Sequence, residues 1–125
     1  EESYLSLKCL DVGYQILSAP DIVMYHPRTG STASTAMEYY RYRNPLLVVL
    51  RLYPGLAKWR FLVAKICRYA VTATQRQALV PYARAVGNVL RRLPSELAAS
   101  TPVSNATLQE YLLLNQTVLH EENET

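Results

Sequence analysis

Gly13-Tyr14-Gln15-Ile16-Leu17-Ser18-Ala19-Pro20-Asp21-Ile22-Val23-Met24-Tyr25-His26 has the pattern of two short strands joined by a turn. The polar–apolar alternation over residues 14–17 predicts a half-buried strand at 14–18, and Ala19-Pro20-Asp21 predicts a turn. Ile22-Val23-Met24-Tyr25 predicts a second, more buried strand at 21–26 that carries His26 to its end. A loop of small and polar residues follows, with Arg28, Gly30, Ser31 and Thr32. Ahead of the first strand, residues 2–12 predict a short amphipathic helix that opens on the acidic pair Glu1-Glu2. Gly13 stops it, because glycine readily takes the left-handed conformation that closes helices.

Beyond the loop the pattern is helical. One helix is expected from Thr35 to Leu52, kinked or broken at Pro45, whose ring removes a backbone donor. Tyr53-Pro54-Gly55 is a break. Helices are then expected at 55–71 and 74–93, the second interrupted near Pro81. Residues 95–104, rich in Ser, Thr and Pro, predict a linker. A weak amphipathic helix at 107–120 precedes an acidic tail.

The net charge of +3 over 125 residues conceals a lopsided distribution. Arg41, Arg43, Arg51, Lys58, Arg60, Lys65, Arg68, Arg76, Arg84, Arg91 and Arg92 follow one another with no acid between Glu38 and Glu96. A block of this kind suits an anionic partner such as lipid headgroups, pyrophosphate or nucleic acid. Cys9 and Cys67 stand far apart and form no metal or redox spacing.

Residues 45–71 are the one candidate for a bilayer span, and five basic residues exclude it. Each costs about 2.5–3.5 kcal/mol at a helix centre, against about 0.3–0.6 returned by each large apolar residue. A surface-lying helix fits better. Leu56, Trp59, Leu62, Val63, Ile66 and Ala70 recur at three- and four-residue spacing, with Lys58, Lys65 and Arg68 opposite. Trp59, Lys58, Lys65 and Arg68 are therefore the expected membrane-facing residues, each cation adding about 1 kcal/mol of attraction to an anionic leaflet. The same apolar stripe also fits packing against neighbouring helices, and both readings stand.

Four blocks in order resemble family 2 glycosyltransferases, inverting enzymes of the GT-A fold, and rhamnosyltransferase-like members most. Glu1-Glu2-Ser3-Tyr4-Leu5-Ser6-Leu7-Lys8 stands where the family carries an acidic motif, with Glu replacing the usual Asp and Tyr4 at a position usually acidic. Gly13, Tyr14, Ile16, Pro20, Val23 and His26 fall in register with the next block. Tyr39-Tyr40 followed by Arg43-Asn44 is similar to the family's Tyr-Tyr-x-x-Arg-Asn signature. Ala83-Arg84-Ala85-Val86-Gly87 with Leu90-Arg91 is similar to its closing basic helix.

The resemblance implies an α/β fragment, mostly α: the C-terminal end of a GT-A catalytic domain at 1–44, amphipathic basic helices at 45–94, and a linker, weak helix and tail at 95–125. It implies a nucleotide-sugar donor, with rhamnose a candidate sugar, and a polysaccharide or lipid-linked acceptor at the cytoplasmic face of a membrane. Glu2 takes the place of the general base, with Glu1 its neighbour if the register slips. His26 takes the place of a ligand to a divalent Mg or Mn held mainly by residues outside this chain. Arg28, Ser31, Thr32, Arg41 and Arg43 are the expected diphosphate or substrate contacts. No Asp-x-Asp pair or glycine-rich nucleotide loop occurs, so the chain is expected to be the C-terminal fragment of a longer enzyme and inactive alone. The competing reading is a small basic helical protein that coats an anionic membrane or nucleic acid. The basic residues are spread over three helices without a nucleic-acid motif, so no nucleic-acid partner is expected.

Overall fold

A computed structural model of the chain describes residues 2–16 and 35–121, with side chains to residue 115. Five helices account for the regular structure: α1 Glu2–Asp11, α2 Thr35–Leu52, α3 Gly55–Gln75, α4 Leu79–Ala98 and α5 Asn105–Glu121. Helix α2 is the axis, packed against α4, α3 and α1; α3 also lies on α4, and α1 on α5.

The expected α/β end of a GT-A domain is overturned, because the described residues form helices and no strand. Residues 14–16, the first three of the five in the first expected strand, are neither helix nor strand, and Tyr14 and Ile16 are exposed. A four-residue alternation becomes a strand only where a neighbour supplies ladder hydrogen bonds and a face to bury, and no such neighbour exists among the described residues. The second expected strand, at 21–26, lies outside the described residues.

The ends of the helices follow local chemistry. Gly13, at φ +89°, closes α1 as expected: its N–H donates to the Leu10 carbonyl at 3.0 Å and that of Tyr14 to Cys9 at 2.9 Å. This is the six-to-one, five-to-two pattern of a Schellman closure. The expected break at 53–55 is present between α2 and α3, with Pro54 extended and Gly55 at φ +45°. Helix α3 outlasts its expected end, and Gln77 at φ +55° closes it with the same pattern: Gln77 N–H to Thr74 at 3.2 Å, Ala78 N–H to Ala73 at 2.8 Å.

Of the two prolines expected to interrupt helices, Pro45 does not break its helix, and the interruption expected near Pro81 falls just ahead of it, at 76–78 between α3 and α4. Pro45 lies inside α2, which runs unbroken because Tyr42, Leu46, Val49, Leu50 and Leu52 are buried around it. Burial of about 1.5–3 kcal/mol per large side chain outweighs a proline cost of about 3 kcal/mol. Pro81 falls in the first turn of α4, where its missing N–H would have had no intrahelical partner.

Residues 99–104 connect α4 to α5 and cap the C-terminus of α2 as they pass. Ser100 Oγ donates to Arg51 O at 2.9 Å, Thr101 N–H to Arg51 O at 3.0 Å, and Val103 N–H to Leu52 O at 2.9 Å. These are carbonyls that a helix end leaves without partners. Asp11 then joins α1 to α5: its Oδ1 accepts from Ser104 N–H at 2.9 Å and Thr107 Oγ1 at 3.1 Å, while Ser104 Oγ caps α5 through Thr107 N–H at 3.0 Å. The main core gathers Leu7, Leu46, Val49, Leu50, Leu52, Tyr53, Leu62, Val89, Val103 and Leu108. A smaller one unites Tyr42, Ala73, Ala78 and Ala85.

Candidate functional site

Of the residues expected to carry catalysis, Glu2 is the one that the structure describes. Glu2 is exposed in the first turn of α1. Glu1, His26, Arg28, Ser31 and Thr32 lie outside the described residues. No group of three or more His, Cys, Asp or Glu comes together among the described residues, so they supply no donor set for the divalent metal the resemblance implies.

Arg41 and Arg43, expected at a diphosphate or acceptor, are engaged with the fold. Arg41 Nε lies 3.6 Å from Glu38. Arg43 Nε donates to Asn88 Oδ1 on α4 at 3.0 Å and its Nη1 to Asn44 Oδ1 at 3.1 Å. Its guanidinium stands 6.0 Å from the ring centres of both Tyr39 and Tyr40. The Tyr39–Asn44 block therefore forms the α2–α4 seam. Tyr42 is buried beneath it between Tyr69 of α3 and Tyr82 of α4, each ring centre 5.6 Å away. Burial, and then the neighbouring Glu38 carboxylate, pushes the Tyr42 phenol above its ordinary range.

The two acids that bracket the basic block are both buried, and each takes two arginines. Glu38 Oε1 meets Arg41 and, at 3.4 Å, Arg76 from the end of α3. Glu96, 1% exposed, bonds Arg51 of α2 and Arg92, the latter at 2.9 Å. Four of the eleven cations are thus paired with these two acids, Arg76 and Arg51 holding α2 to the end of α3 and to α4, and Arg41 and Arg92 pairing within α2 and α4. Arg60, Lys65, Arg68, Arg84 and Arg91 have no acidic partner among the described residues.

Helix α3 turns its faces the opposite way from a helix with lysines outward. Lys58, expected at a membrane, is 9% exposed and donates from Nζ to Ser100 Oγ at 2.9 Å. Lys65 also points to the inner side, its Nζ 5.7 Å from the Tyr69 ring centre. Leu62 is buried in the core with them. Outward stand Leu56 (74% exposed), Trp59 (41%), Val63 and Val71 (59% each). Positions 56, 60, 63, 67 and 71 share one helical face, so Arg60 and Cys67 emerge within this stripe. The expected stripe is therefore split: Trp59, Leu56 and Val63 face out, Leu62 faces in. No described helix is long and apolar enough to cross a membrane.

On its inner side α3 borders a cavity of about 370 Å³. Ser3 of α1, Pro45, Val48 and Val49 of α2, Tyr53, Phe61, Lys65, Arg68, and Tyr111, Leu112 and Asn115 of α5 line it. Burial, and then the Arg68 charge, holds the Lys65 ammonium below its ordinary range. Burial pushes the Tyr53 phenol up to about 12. Lys65 and Arg68 are singled out by sequence, but as membrane contacts. Ser3, Tyr111 and Asn115 carry no local signal, since only the packing of α1 and α5 brings them here, and Tyr53, between α2 and α3, is legible in the sequence only as part of a break.

Comparison with protein-family models, curated proteins and solved structures returns no match to this chain.

Proposed function

We propose that the chain serves a nucleotide-sugar-dependent glycosyltransferase, and that its helical bundle docks that enzyme peripherally on the anionic, cytoplasmic face of a membrane where a lipid-linked or polysaccharide acceptor is extended. The enzyme part of this reading is supported by the four sequence blocks at 1–8, 13–26, 39–44 and 83–91 in their order. The docking part is supported by the outward face of α3, the observation that carries the proposal. Leu56, Trp59, Val63 and Val71 stand exposed on one side of a well-packed helix, with Arg60 among them.

An isolated apolar residue on a surface is ordinary, whereas a row of four along one helix marks a contact surface. Its chemistry selects the partner. Trp59 suits the headgroup level, and Arg60 attracts anionic lipid with about 1 kcal/mol near the surface. Arg68, Arg84 and Arg91, free of acidic partners among the described residues, add to the positive charge of the chain as a whole. The depth reached is shallow, because the inner face of α3 is committed to Leu62, Lys58 and Tyr69.

Vesicle flotation tests the proposal. The chain binds phosphatidylglycerol vesicles and not phosphatidylcholine vesicles, and binding falls steeply with salt as the screening length contracts to about 8 Å near physiological ionic strength. Leu56→Glu with Val63→Glu, both at exposed positions, abolishes flotation without loss of helical content. Flotation that survives the double substitution, or is equal on neutral lipid, overturns the docking surface.

A further inference from the structure

The cavity between α3, α2 and α5 is separate from the outward stripe, and its lining is chemically one-sided. Lys65 and Arg68 are its charged groups, and neither has an acidic partner among the described residues. Tyr53 and Tyr111 line the same space, and Val48 and Leu112 give it an apolar wall. Two like charges placed together at a partly buried site oppose one another. The depressed basicity of Lys65, from burial first and Arg68 second, registers that cost. An anion between them removes it.

We propose that this cavity binds a phosphate monoester that carries an alkyl chain. Phosphate matches an arginine fork and a lysine point charge together, and phenolic hydroxyls donate to its remaining oxygens. The volume of about 370 Å³ lies within the range of small-molecule sites, about 300–1,000 Å³, and exceeds what a bare phosphate fills. The apolar wall accommodates the remainder of the ligand. The proposal is independent of docking through Leu56, Trp59 and Val63, which lie on the other side of α3.

Calorimetric titration with hexyl phosphate, hexanol and inorganic phosphate tests it. Hexyl phosphate binds; hexanol and inorganic phosphate each bind at least tenfold more weakly. Lys65→Met and Arg68→Gln each weaken hexyl phosphate by roughly tenfold or more, as loss of one charge-assisted contact requires. Arg60→Gln, on the outward face, leaves it unchanged. Lys65→Met removes a partly buried charge, so its helical content is retained, and Arg68→Gln alters an exposed position. A lipid headgroup is distinguished from a soluble ester by phosphatidate vesicles: Lys65-dependent binding to them on a Leu56→Glu, Val63→Glu background assigns the phosphate to a bilayer, and its absence assigns it to a soluble ester. Hexyl phosphate that binds no better than hexanol, or equally to wild type and Lys65→Met, overturns the proposal.

Discussion

Replacing Glu96 by Gln removes the charge that Arg51 and Arg92 share while keeping the shape of the side chain. Glu96 is 1% exposed on α4 and ties that helix to α2 through Arg51. In the variant one acceptor oxygen becomes an NH₂ that faces a guanidinium donor. A hydrogen bond to a charged group contributes about 1.5–3 kcal/mol, and breaking a buried pair from one side costs about 3–5 kcal/mol. The upper figure applies where a buried charge is stranded. Here the arginines left behind have side chains 39% and 41% exposed, so water replaces much of what they lose. The net expected cost is about 2 kcal/mol. Substituting both Arg51 and Arg92 by Gln is the converse experiment, because it strands the buried carboxylate. Its cost is expected in the range of about 3–5 kcal/mol, larger than that of Glu96→Gln. Urea unfolding followed by helical circular dichroism measures both, with unchanged m-values showing that the native state alone is altered. Stability of Glu96→Gln within about 0.5 kcal/mol of wild type, the range of an ordinary surface change, refutes the reasoning.

Tyr53 makes stability fall in alkali. Its pKa of about 12 in the fold stands above the ordinary 10.0, so its contribution is complete below pH 10 and is lost as pH rises toward 12, at about 1.4 kcal/mol per unit. Tyr53→Phe flattens the curve of unfolding free energy against pH in that window. Lys65 acts with the opposite sign: its pKa is lowered from 10.5, so its burden is present at neutral pH and lifts as pH approaches 10.5. Lys65→Met is therefore more stable than wild type at pH 7 by urea unfolding. On the proposed glycosyltransferase reading, Glu2→Gln in an enzyme that contains this chain lowers turnover by about 10²–10⁴-fold with donor affinity little changed, as loss of a general base requires. Near-normal turnover of that variant removes Glu2 from the role.

The helices were legible where local chemistry sets them. Gly13 and the Tyr53-Pro54-Gly55 break read correctly because glycine and proline act through their own backbone freedom. Gln77 closes α3 in the same geometry and left no mark, since nothing in its side chain favours a positive φ. The alternation misled at 14–16 because a period of two specifies a strand only when a partner strand is present, and the described residues include none. Pro45 reads as a kink or break by its intrinsic cost, and packing around Tyr42 and Leu46 keeps the helix unbroken, while the interruption read near Pro81 falls at 76–78 because Pro81 itself suits the first turn of α4. The α3 stripe was legible as a pattern but not in its orientation. Lys58 went inward because Ser100, forty-two positions away, supplies an acceptor for its ammonium. The cavity at Lys65 was hidden for the same reason, being assembled from α1, α2, α3 and α5 by tertiary contact.

The outward face of α3 is the claim on which the functional account rests, and Trp59, the chain's single tryptophan, reports on it directly. Its emission is measured while the chain is titrated with phosphatidylglycerol vesicles carrying brominated acyl chains at different depths. The account predicts a blue shift on anionic vesicles, quenching strongest by bromine nearest the headgroups, and loss of both with Leu56→Glu and Val63→Glu. Emission that stays at its aqueous position on anionic vesicles, or shifts equally on phosphatidylcholine, contradicts it.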